Sequence, residues 1–307
     1  MTRGRPALLL LAALLASACA PEPPAAPTAP TAPSAVPPSR ADATGHVRTW
    51  PGELPIVLSV PHDGASAPAD IPDRTSGVTV RDSHARALAE AIRDALQARC
   101  GRAPHLIVCE LSRRKVDCNR ALAEGATDPA AGRVWREYHA AIDAAEQAVL
   151  ARSPHGLYLD IHSHGHPQKR MELGYLLTAA DLRRPAGELD ADDAVAARSS
   201  VRALSRRTPA KFSELLRGET SLGGLLAARG LAATPSPAAL PLPGEPYFNG
   251  AYDVAAHGSR DGGRLDGIQL EVPATQRDTP ARRAATAQAV AEALEVYFER
   301  HYGTKLR

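Results

Sequence analysis

The segment "LYLDIHSHGH" (residues 157–166) begins with the pattern of a β-strand and ends in three histidines. Apolar residues at positions 157, 159 and 161 alternate with Tyr, Asp and His, which is the spacing of a strand whose two faces differ. His162, His164 and His166 follow at intervals of two. They are compatible with a metal site, a catalytic pair or a solvated loop. Choosing among these three interpretations requires the rest of the sequence.

Strand-like and helix-like segments alternate on both sides of this stretch. Short apolar runs bounded by Pro, Gly or charged turns predict buried strands, and amphipathic runs predict helices. The predicted strands are 54–60, 105–111, 156–163, 173–178 and 266–273; the predicted helices are 82–100, 133–152 and 280–300, with most of 195–230 helical and 233–246 a Pro-rich loop. This alternation is typical of an α/β sandwich whose mostly parallel sheet is covered on both faces.

The first 44 residues differ in composition from the rest. Residues 1–19 combine a basic start, an apolar run and small residues, which is typical of a secretory signal and too short for a spanning helix. The ending "ASAC" resembles a bacterial lipobox, so we expect Cys19 to be a lipidated N-terminus in the cell envelope, with plain secretion as the alternative. Residues 20–44 predict a Pro/Ala-rich tether and residues 45–307 a single folded domain.

Charge and cysteine content exclude several classes of function. A net charge of +2 and few aromatic residues give no electrostatic reason to expect nucleic acid as a partner. No long apolar run follows the signal, so we expect membrane contact only through the lipid. Outside the cytosol Cys100 and Cys109 are the expected disulfide pair, which leaves Cys118 as a buried thiol. Without a CxxC motif, a cysteine zinc site is not expected.

Four predicted strands end in polar sequences that could carry chemistry. In open α/β sheets ligands bind beyond the carboxyl ends of the strands, so side chains there are expected to meet at one site. The four segments are "VPHDG" (60–64), "SRRKVDCNR" (112–120), "DIHSHGH" (160–166) and "QLEVP" (269–273). Their convergence is the main reason to expect an enzyme.

His62 and His162, at two of these strand ends, are the expected metal ligands. Histidine nitrogen is a common zinc ligand, and a catalytic zinc takes three protein ligands and keeps one position open. Asp160 is expected to hydrogen-bond a metal-bound histidine and fix its tautomer. Asp82 is the leading candidate for the third ligand. The alternatives for that ligand are Asp63, His164 and His84.

The remaining strand ends supply candidate catalytic and substrate-binding groups. Glu271 stands in the apolar strand "GIQLEVP", where burial can tune a carboxylate to act as a general base. Arg120 has the planar guanidinium that suits a substrate carboxylate, and Asn119 can donate to the same group; the alternative is a salt-bridged turn. Arg113 and Arg114 are surface charges or stabilisers of a developing oxyanion, and we assign that role to Arg114.

In order and rough spacing, "SVPHDG", "SRRKVDCNR", "DIHSHG" and "IQLEVP" resemble the N-formylglutamate amidohydrolase family over most of residues 53–300. The resemblance implies a three-layer αβα sandwich around a mixed sheet, as in the zinc carboxypeptidases, with one zinc ion. It also implies that "VDCNR" grips a substrate carboxylate and that the strand of Glu271 bears the catalytic carboxylate. Tyr252 and His257, in "YFNGAYDVAAHGS" (247–259), would line the pocket.

Two features depart from these relatives. The carboxypeptidases place a glutamate ligand three residues after the first histidine, where this chain has Ala65, and this favours the amidohydrolase branch. The family's enzymes of histidine breakdown resemble cytosolic proteins, whereas this chain has an export signal. An acyl-amino acid or peptide of the cell envelope is therefore at least as good a candidate substrate as formylglutamate.

The sequence thus predicts a zinc-dependent hydrolase that cleaves the amide bond of an N-formyl or N-acyl amino acid, or of a related substrate bearing a carboxylate. The expected partner is such a small molecule or a short peptide, and the expected location is the bacterial envelope, facing the periplasm or exterior. The alternative is a periplasmic zinc carboxypeptidase or peptidoglycan-processing peptidase on the same site. A non-catalytic binding lipoprotein is a third reading.

Overall fold

The computed structural model of the chain describes residues 1–2 and 40–307. The chain divides into two units, Met1–Val36 and Pro37–Arg307, and every strand and helix given below belongs to the second. The expected signal peptide beyond residue 2, Cys19, and the expected tether as far as residue 39 lie outside the described residues. Among the described residues, no helix has the length and apolar character needed to cross a membrane.

Eight strands in the described part of the chain form one mixed sheet. They are β1 (Arg40–Ala41), β2 (Val47–Trp50), β3 (Ile56–Val60), β4 (His105–Cys109), β5 (Gly156–His164), β6 (Met171–Gly174), β7 (Ala233–Thr234) and β8 (Leu265–Pro273). Their order in space is β1-β2-β4-β3-β5-β8-β6-β7. Neighbours among β4, β3, β5 and β8 run parallel, and β2 and β6 are antiparallel to β4 and β8. The predicted mixed, mostly parallel sheet is confirmed.

Helices cover both faces of this sheet, as the α/β prediction requires. The longer ones are α1 (Ala85–Cys100), α3 (Pro129–Leu150) and α12 (Pro280–Tyr297). The shorter ones are α2 (Leu122–Gly125), α4 (Ala179–Arg183), α5 (Ala186–Asp190), α6 (Asp193–Arg198), α7 (Arg202–Arg207), α8 (Phe212–Arg217), α9 (Leu222–Ala227), α10 (Tyr252–His257) and α11 (Ala274–Arg277). A 3₁₀ turn (Ser259–Asp261) and a π-helical turn (Phe298–Tyr302) follow α10 and α12.

Alternation along β5 sends its two faces into two different cores. Leu157, Leu159 and Ile161 are fully buried in the core that contains α1 and α12, which is worth roughly 1.5–3 kcal/mol for each side chain relative to exposure. Tyr158 is buried in the other core, with residues of α3 and α10. Side chains two residues apart point the same way, so Asp160 and His162 also lie on the α3 and α10 side.

The edge strand β1 and its neighbour β2 lie where the sequence predicted no strand. Arg40 and Ala41 pair with Thr49 and Arg48, so the sheet begins inside the segment 20–44 that was assigned to the tether. Asp42 makes the intervening turn, because its carboxylate accepts hydrogen bonds from the backbone N–H groups of residues 44, 46 and 47. A two-residue strand has no periodicity to detect, so nothing in the sequence indicated that the sheet begins at Arg40.

The expected Cys100–Cys109 disulfide is wrong. The three cysteines of the described residues are buried free thiols. Cys100, at the end of α1, packs into the core beneath α1 and α12, whereas Cys109 and Cys118 pack into the core beneath α3. The side chain of Cys109 points to the other face because it stands on β4, whose alternate residues face opposite sides of the sheet.

Candidate metal centre

Two histidines and one aspartate meet at the carboxyl ends of β3 and β5. His62 follows β3, His162 lies near the end of β5, and Asp82 precedes α1. His62 Nδ1 lies 3.2 Å from His162 Nδ1, and Asp82 Oδ2 lies 3.0 Å from His162 Nδ1 and 3.6 Å from His62 Nδ1. All three side chains are buried and form a group able to hold a metal ion. The structure therefore brings the three expected ligands together.

Carboxylates hold the outward-facing nitrogens of both histidines. His62 Nε2 lies 2.7 Å from Asp117 Oδ1, and His162 Nε2 lies 2.7 Å from Asp160 Oδ2. An ionised carboxylate only accepts hydrogen bonds, so each Nε2 carries the hydrogen and each Nδ1 of a neutral ring is a lone pair. Two lone pairs then face each other and the Asp82 carboxylate. Such an arrangement is stabilised by a positive charge between the three atoms, either a second proton on a ring or a metal ion.

The spacing of the three atoms fits a small divalent ion. With zinc–nitrogen bonds of about 2.0–2.1 Å, two ligand atoms at tetrahedral angles lie about 3.3–3.4 Å apart. The observed separations of 3.0, 3.2 and 3.6 Å surround this value. A carboxylate behind a histidine ligand is the usual arrangement that fixes the ring's tautomer and orientation. The residues present therefore fit one zinc-sized ion.

The electrostatics of the group favour two ionised carboxylates around charged or metal-bound imidazoles. Burial raises the pKa of Asp82, but the adjacent His162 and His62 imidazoles outweigh it and hold the pKa well below its usual range. Burial likewise raises the pKa of Asp117, and the nearby His62 and Arg113 bring it well below normal. Burial lowers the pKa of His162, but Asp160 and Asp82 reverse this and raise it well above the usual value.

Local backbone contacts place Asp82 in the group. Its N–H donates to the carbonyl of His62 at 3.1 Å, and its Oδ2 accepts from the N–H of Ser163 at 3.2 Å. The predicted helix 82–100 begins only at Ala85, after His84 has turned the chain with a left-handed φ of 68°. A non-glycine residue there is strained, and such strain is typical of functional sites. Asp82 is thereby kept out of the helix and beside the histidines.

The three alternative third ligands are engaged elsewhere. The carboxylate of Asp63 accepts hydrogen bonds from Arg81 Nε and from the backbone N–H of Arg86. His84 is exposed at the start of α1. His164 has both ring nitrogens occupied, since Nδ1 accepts from the N–H of His166 and Nε2 donates to the carbonyl of Arg170. The arrangement favours Asp82.

Glu271 lies directly beside the metal group on β8. It stands opposite His162 in the parallel β5–β8 pairing and opposite Glu172 in the antiparallel β6–β8 pairing. Gln269 Nε2 donates to its Oε1 at 2.7 Å. Burial raises the pKa of Glu271 to about 8, and the nearby His162 only partly opposes this. A carboxylate with a pKa near neutrality is suited to take up and return a proton.

Of the two neighbouring arginines, Arg113 reaches this group and Arg114 does not. Arg113 Nη1 lies 3.3 Å from Asp82 Oδ1, and its Nε lies 3.3 Å from Asp117 Oδ2. The guanidinium of Arg114 is exposed and paired with Asp73. The structure therefore places Arg113, and not Arg114, beside the metal group.

Asn119 and Arg120 occupy different environments although they are adjacent. Asn119 is buried: its Oδ1 accepts from the N–H of Asp253, and its Nδ2 lies 3.0 Å from His162 Nε2 and 3.4 Å from Asp160 Oδ2. The side chain of Arg120 is exposed, and one Nη1 hydrogen donates to the carbonyl of Asn119. Asn119 thus fixes the surroundings of His162, whereas Arg120 faces outward.

Tyr252 and His257, at the two ends of α10, both lie against α3. The Tyr252 ring is 5.7 Å from the ring of Trp135, whose Nε1 donates to the carbonyl of Arg120. His257 is buried against His139, with Nε2 2.9 Å from His139 Nδ1. Tyr252 therefore adjoins the backbone of the Arg120 loop, and His257 points along α3.

Two polar residues of the site were missed by the sequence reasoning. Glu172 is buried on β6, where its carboxylate pairs with His166 Nδ1 at 2.8 Å and accepts the N–H of Phe248 at 2.7 Å. Gln269 supports Glu271 from two residues away on the same face of β8. Gln269 could have been found from the sequence, because it stands two residues before Glu271 and residues two apart on a strand share a face. Glu172 was missed because the predicted strand 173–178 started two residues after β6 begins.

Solved structures show what this fold is similar to. An N-formylglutamate amidohydrolase from Ralstonia eutropha JMP134 matches with a TM-score of 0.51 and 16% identity, over 84% of this chain and 99% of that one. A gene product of Agrobacterium tumefaciens matches with a TM-score of 0.45 and 15% identity, over 81% and 93% of the two chains. An N-acetylmuramyl-L-alanine amidase from Mycobacterium abscessus matches with a TM-score of 0.35 and 13% identity, over 79% and 98%.

No protein-family model matches the chain, and no curated protein matches it. The likeness to the Ralstonia structure extends over nearly all of that protein, and at this identity it is a likeness of fold. The fold that the sequence motifs led us to expect is thereby confirmed: the chain has an α/β fold similar to that of an N-formylglutamate amidohydrolase.

Proposed function

We propose that the chain is a zinc-dependent hydrolase of an amide bond, with one ion held by His62, Asp82 and His162. The observation that carries this proposal is the pair of facing Nδ1 atoms 3.2 Å apart, each on a ring whose Nε2 is tied to a carboxylate. Two imidazoles fixed in this way present lone pairs to a common point beside a third, anionic ligand. A buried Glu271 next to that point supplies the acid–base group that hydrolysis needs.

When bound, zinc supplies a Lewis acid that makes water more acidic and a carbonyl carbon more electrophilic. Glu271 Oε accepts the proton of the attacking water and later delivers it to the leaving nitrogen. Its pKa of about 8 describes the protein without the ion, and a carboxyl group ionises more readily beside a dication. Gln269 holds one Glu271 oxygen, which leaves the other for the proton.

The other buried groups orient the centre. Asp117 and Asp160 keep the histidine rings in the tautomer that presents Nδ1. The guanidinium of Arg113 lies 3.3 Å from Asp82, and we propose that it stabilises the negative charge that develops on the carbonyl oxygen during attack. Its hydrogen bonds to Asp82 and Asp117 hold it in place beforehand, so that little reorganisation is needed.

We propose that the substrate is an N-formyl or N-acyl amino acid, or a related compound that carries a carboxylate. We propose that Arg120 binds this carboxylate. The support is an exposed guanidinium in the loop that also places Asn119 against His162. The loop that follows β7 is tied down beside the centre: Tyr247 donates to the carbonyl of Leu173, and Arg170 pairs with Glu245. A loop held at these points favours a small substrate over a long peptide.

The experiment starts from the purified full chain. We expect at least one equivalent of zinc, loss of activity after chelation, and recovery when zinc is returned. Substrates are compared in matched pairs, each N-acyl amino acid beside its C-terminal amide. A hydrogen-bonded charge pair is worth about 1.5–3 kcal/mol, so the free acid should react roughly 10- to 100-fold faster.

Full activity in chelated, metal-free protein would refute the proposal. Short envelope peptides, assayed in parallel, test the alternative of a carboxypeptidase or a peptidoglycan-processing peptidase. Hydrolysis of peptides with no turnover of any acyl-amino acid would favour that alternative and would contradict the proposed substrate class.

We also propose export and lipid anchoring at Cys19, on the strength of the basic start, apolar run and "ASAC" ending of residues 1–19. Expression in a bacterium fed labelled fatty acid should label the wild-type chain and leave Cys19→Ser unlabelled. Equal labelling of the two chains, or none in the wild type, would contradict this proposal.

A further inference from the structure

A second cluster of potential metal ligands lies between α3 and α10. Asp143 and Glu146 stand three residues apart on α3, and His257 ends α10. His257 Nδ1 is 3.3 Å from Glu146 Oε1 and 3.6 Å from Asp143 Oδ1. The cluster shares no residue with the centre formed by His62, Asp82 and His162.

A chain of hydrogen bonds fixes which nitrogen of His257 faces the carboxylates. The carbonyl of Cys118 can only accept, so His139 Nε2, 3.0 Å away, carries a hydrogen. In a neutral His139 ring, Nδ1 is then an unprotonated acceptor. That Nδ1 accepts from His257 Nε2 at 2.9 Å. His257 thus uses its Nε2 hydrogen inside the protein and turns Nδ1 toward Asp143 and Glu146.

The carboxylate of Glu146 beside His257 Nδ1 is incompletely hydrogen-bonded. Glu146 Oε1 is buried and accepts no well-formed hydrogen bond within residues 40–307. A lone pair on Nδ1 and two carboxylate oxygens repel one another unless a second proton on the ring or a metal ion lies between them.

The distances distinguish these two cases. A charged N–H bonded to a carboxylate oxygen usually spans about 2.7–2.9 Å. The separations of 3.3 and 3.6 Å are longer, and they match the roughly 3.3–3.4 Å between ligands of a tetrahedral zinc ion. A histidine ligand whose other nitrogen donates into the protein is also the usual arrangement at metal sites.

A neighbouring cluster shows what a satisfied group looks like in the same fold. His164, His166 and Glu172 also lie close enough together to hold an ion. Their ring nitrogens make hydrogen bonds of 2.8–3.0 Å with Glu172, the N–H of His166 and the carbonyl of Arg170. Hydrogen bonds alone satisfy that cluster, whereas Glu146 Oε1 in the cluster at His257 has no such partner among the described residues.

We propose that Asp143, Glu146 and His257 bind a second divalent ion of the zinc type. Asp143 is exposed, so the ion enters from solvent and water completes its coordination. The ion would fasten α10 to α3. The backbone N–H of Asp253, on α10, donates to Asn119 Oδ1, and Asn119 lies against His162. The second ion would therefore steady the loop that carries Asn119 without touching substrate.

The test is calorimetric titration of zinc into the chelated full chain, with metal content measured after dialysis. We expect two equivalents in the wild type and one in Glu146→Gln, with the affinity of the second site weakened at least 10-fold. Asp143→Asn, an exposed substitution that folding should tolerate, is the second variant and should weaken the same site. Glu137→Gln, on α3 but outside the cluster, is the matched control and should bind two.

His162→Gln separates this proposal from the proposed function, since it removes the ion at the strand ends and should leave the one at His257. One wild-type equivalent that is lost in His162→Gln and unchanged in Glu146→Gln would overturn the second site and leave the proposed function standing. If the wild type binds one equivalent that is lost in Glu146→Gln and kept in His162→Gln, the second site stands and the proposed function is overturned. A doubly protonated His257 ring in the NMR spectrum of zinc-saturated protein would also overturn the second site.

Discussion

At the scale of the residue, the environment of Glu271 decides what its carboxylate can do. It is buried beside His162 and near Glu172, and its partner Gln269 donates only one hydrogen bond. A glutamine at this position has the same shape and cannot take up a proton. It therefore separates the acid–base role of Glu271 from its packing.

We expect Glu271→Gln to bind zinc as the wild type does and to lower kcat about 10²- to 10⁴-fold, the usual contribution of a positioned acid–base group. Zinc content and steady-state kinetics on an N-acyl amino acid measure both effects. The control is Glu188→Gln, an exposed glutamate on α5. A variant that keeps zinc and near-normal kcat would show that another group moves the proton.

The sequence was sufficient to predict some residues of the candidate site and insufficient for others. His62, His162 and Glu271 were predictable because each is a polar residue at or near the carboxyl end of an apolar run. The hydrogen bond between Asp117 and His62 could not be predicted, since it depends on how the turn after β4 folds back. The choice between Arg113 and Arg114 likewise depends on side-chain direction, which spacing alone does not give.

At the scale of the element, the short helix α2 supports the loop that orients His62. Asp117 N–H donates to the carbonyl of Gly125, and a Cβ built on Gly125 would lie 2.2 Å from the carbonyl oxygen of Asp117. The contact is backbone against backbone and cannot be relieved by a side-chain rotation. The loop must move if position 125 gains a methyl group.

We expect Gly125→Ala to lower the free energy of unfolding by about 1–3 kcal/mol, as overpacked sites do, and to weaken zinc binding by displacing Asp117. Gly132→Ala on α3 is the matched control, because its Cβ would meet nothing closer than 3.7 Å. That change should stabilise α3 by about 0.5–1 kcal/mol. Denaturant unfolding and zinc titration compare the stability and the zinc affinity of the two variants. Equal stability and equal affinity would contradict the assigned contact.

Strands and helices could be predicted where their hydrophobic pattern extends over enough residues to be recognised. The strands β5 and β8 and the helices α1, α3 and α12 were all located, with ends shifted by a few residues. The strands β1 and β2 lack an extended apolar pattern, and β1 is formed by a pairing across a turn that Asp42 stabilises. Short edge strands of this kind depend on a partner that local sequence does not reveal.

At the scale of the whole molecule, buried neutral histidines make stability depend on pH. Burial lowers the pKa of His105 from 6.5 to about 4. Above pH 6.5 both folded and unfolded chains are neutral at this residue. Below it the unfolded chain gains a proton that the folded chain does not, so stability is lost as pH falls from 6.5 to about 4, by about 3 kcal/mol in total.

We expect His105→Gln to flatten this dependence. Between pH 7 and pH 5 the wild type should lose about 2 kcal/mol more stability than the variant, because one proton is worth about 1.4 kcal/mol per pH unit. Urea unfolding at the two pH values gives the difference. His46→Gln, at a partly exposed site, should behave like the wild type. An identical pH dependence in all three proteins would contradict the assignment.

The pairing of β5 with β8 also bears on how the chain is made. All nine residues of β5 pair with β8, yet roughly 100 residues of sequence separate the two strands. At about 5–20 residues per second, a ribosome needs about 5–20 s to supply the missing partner. During that interval the nascent chain carries an open strand edge with alternate apolar side chains, a surface prone to aggregation. The position of β8 in the sequence therefore sets how long this strand edge stays unpaired during synthesis.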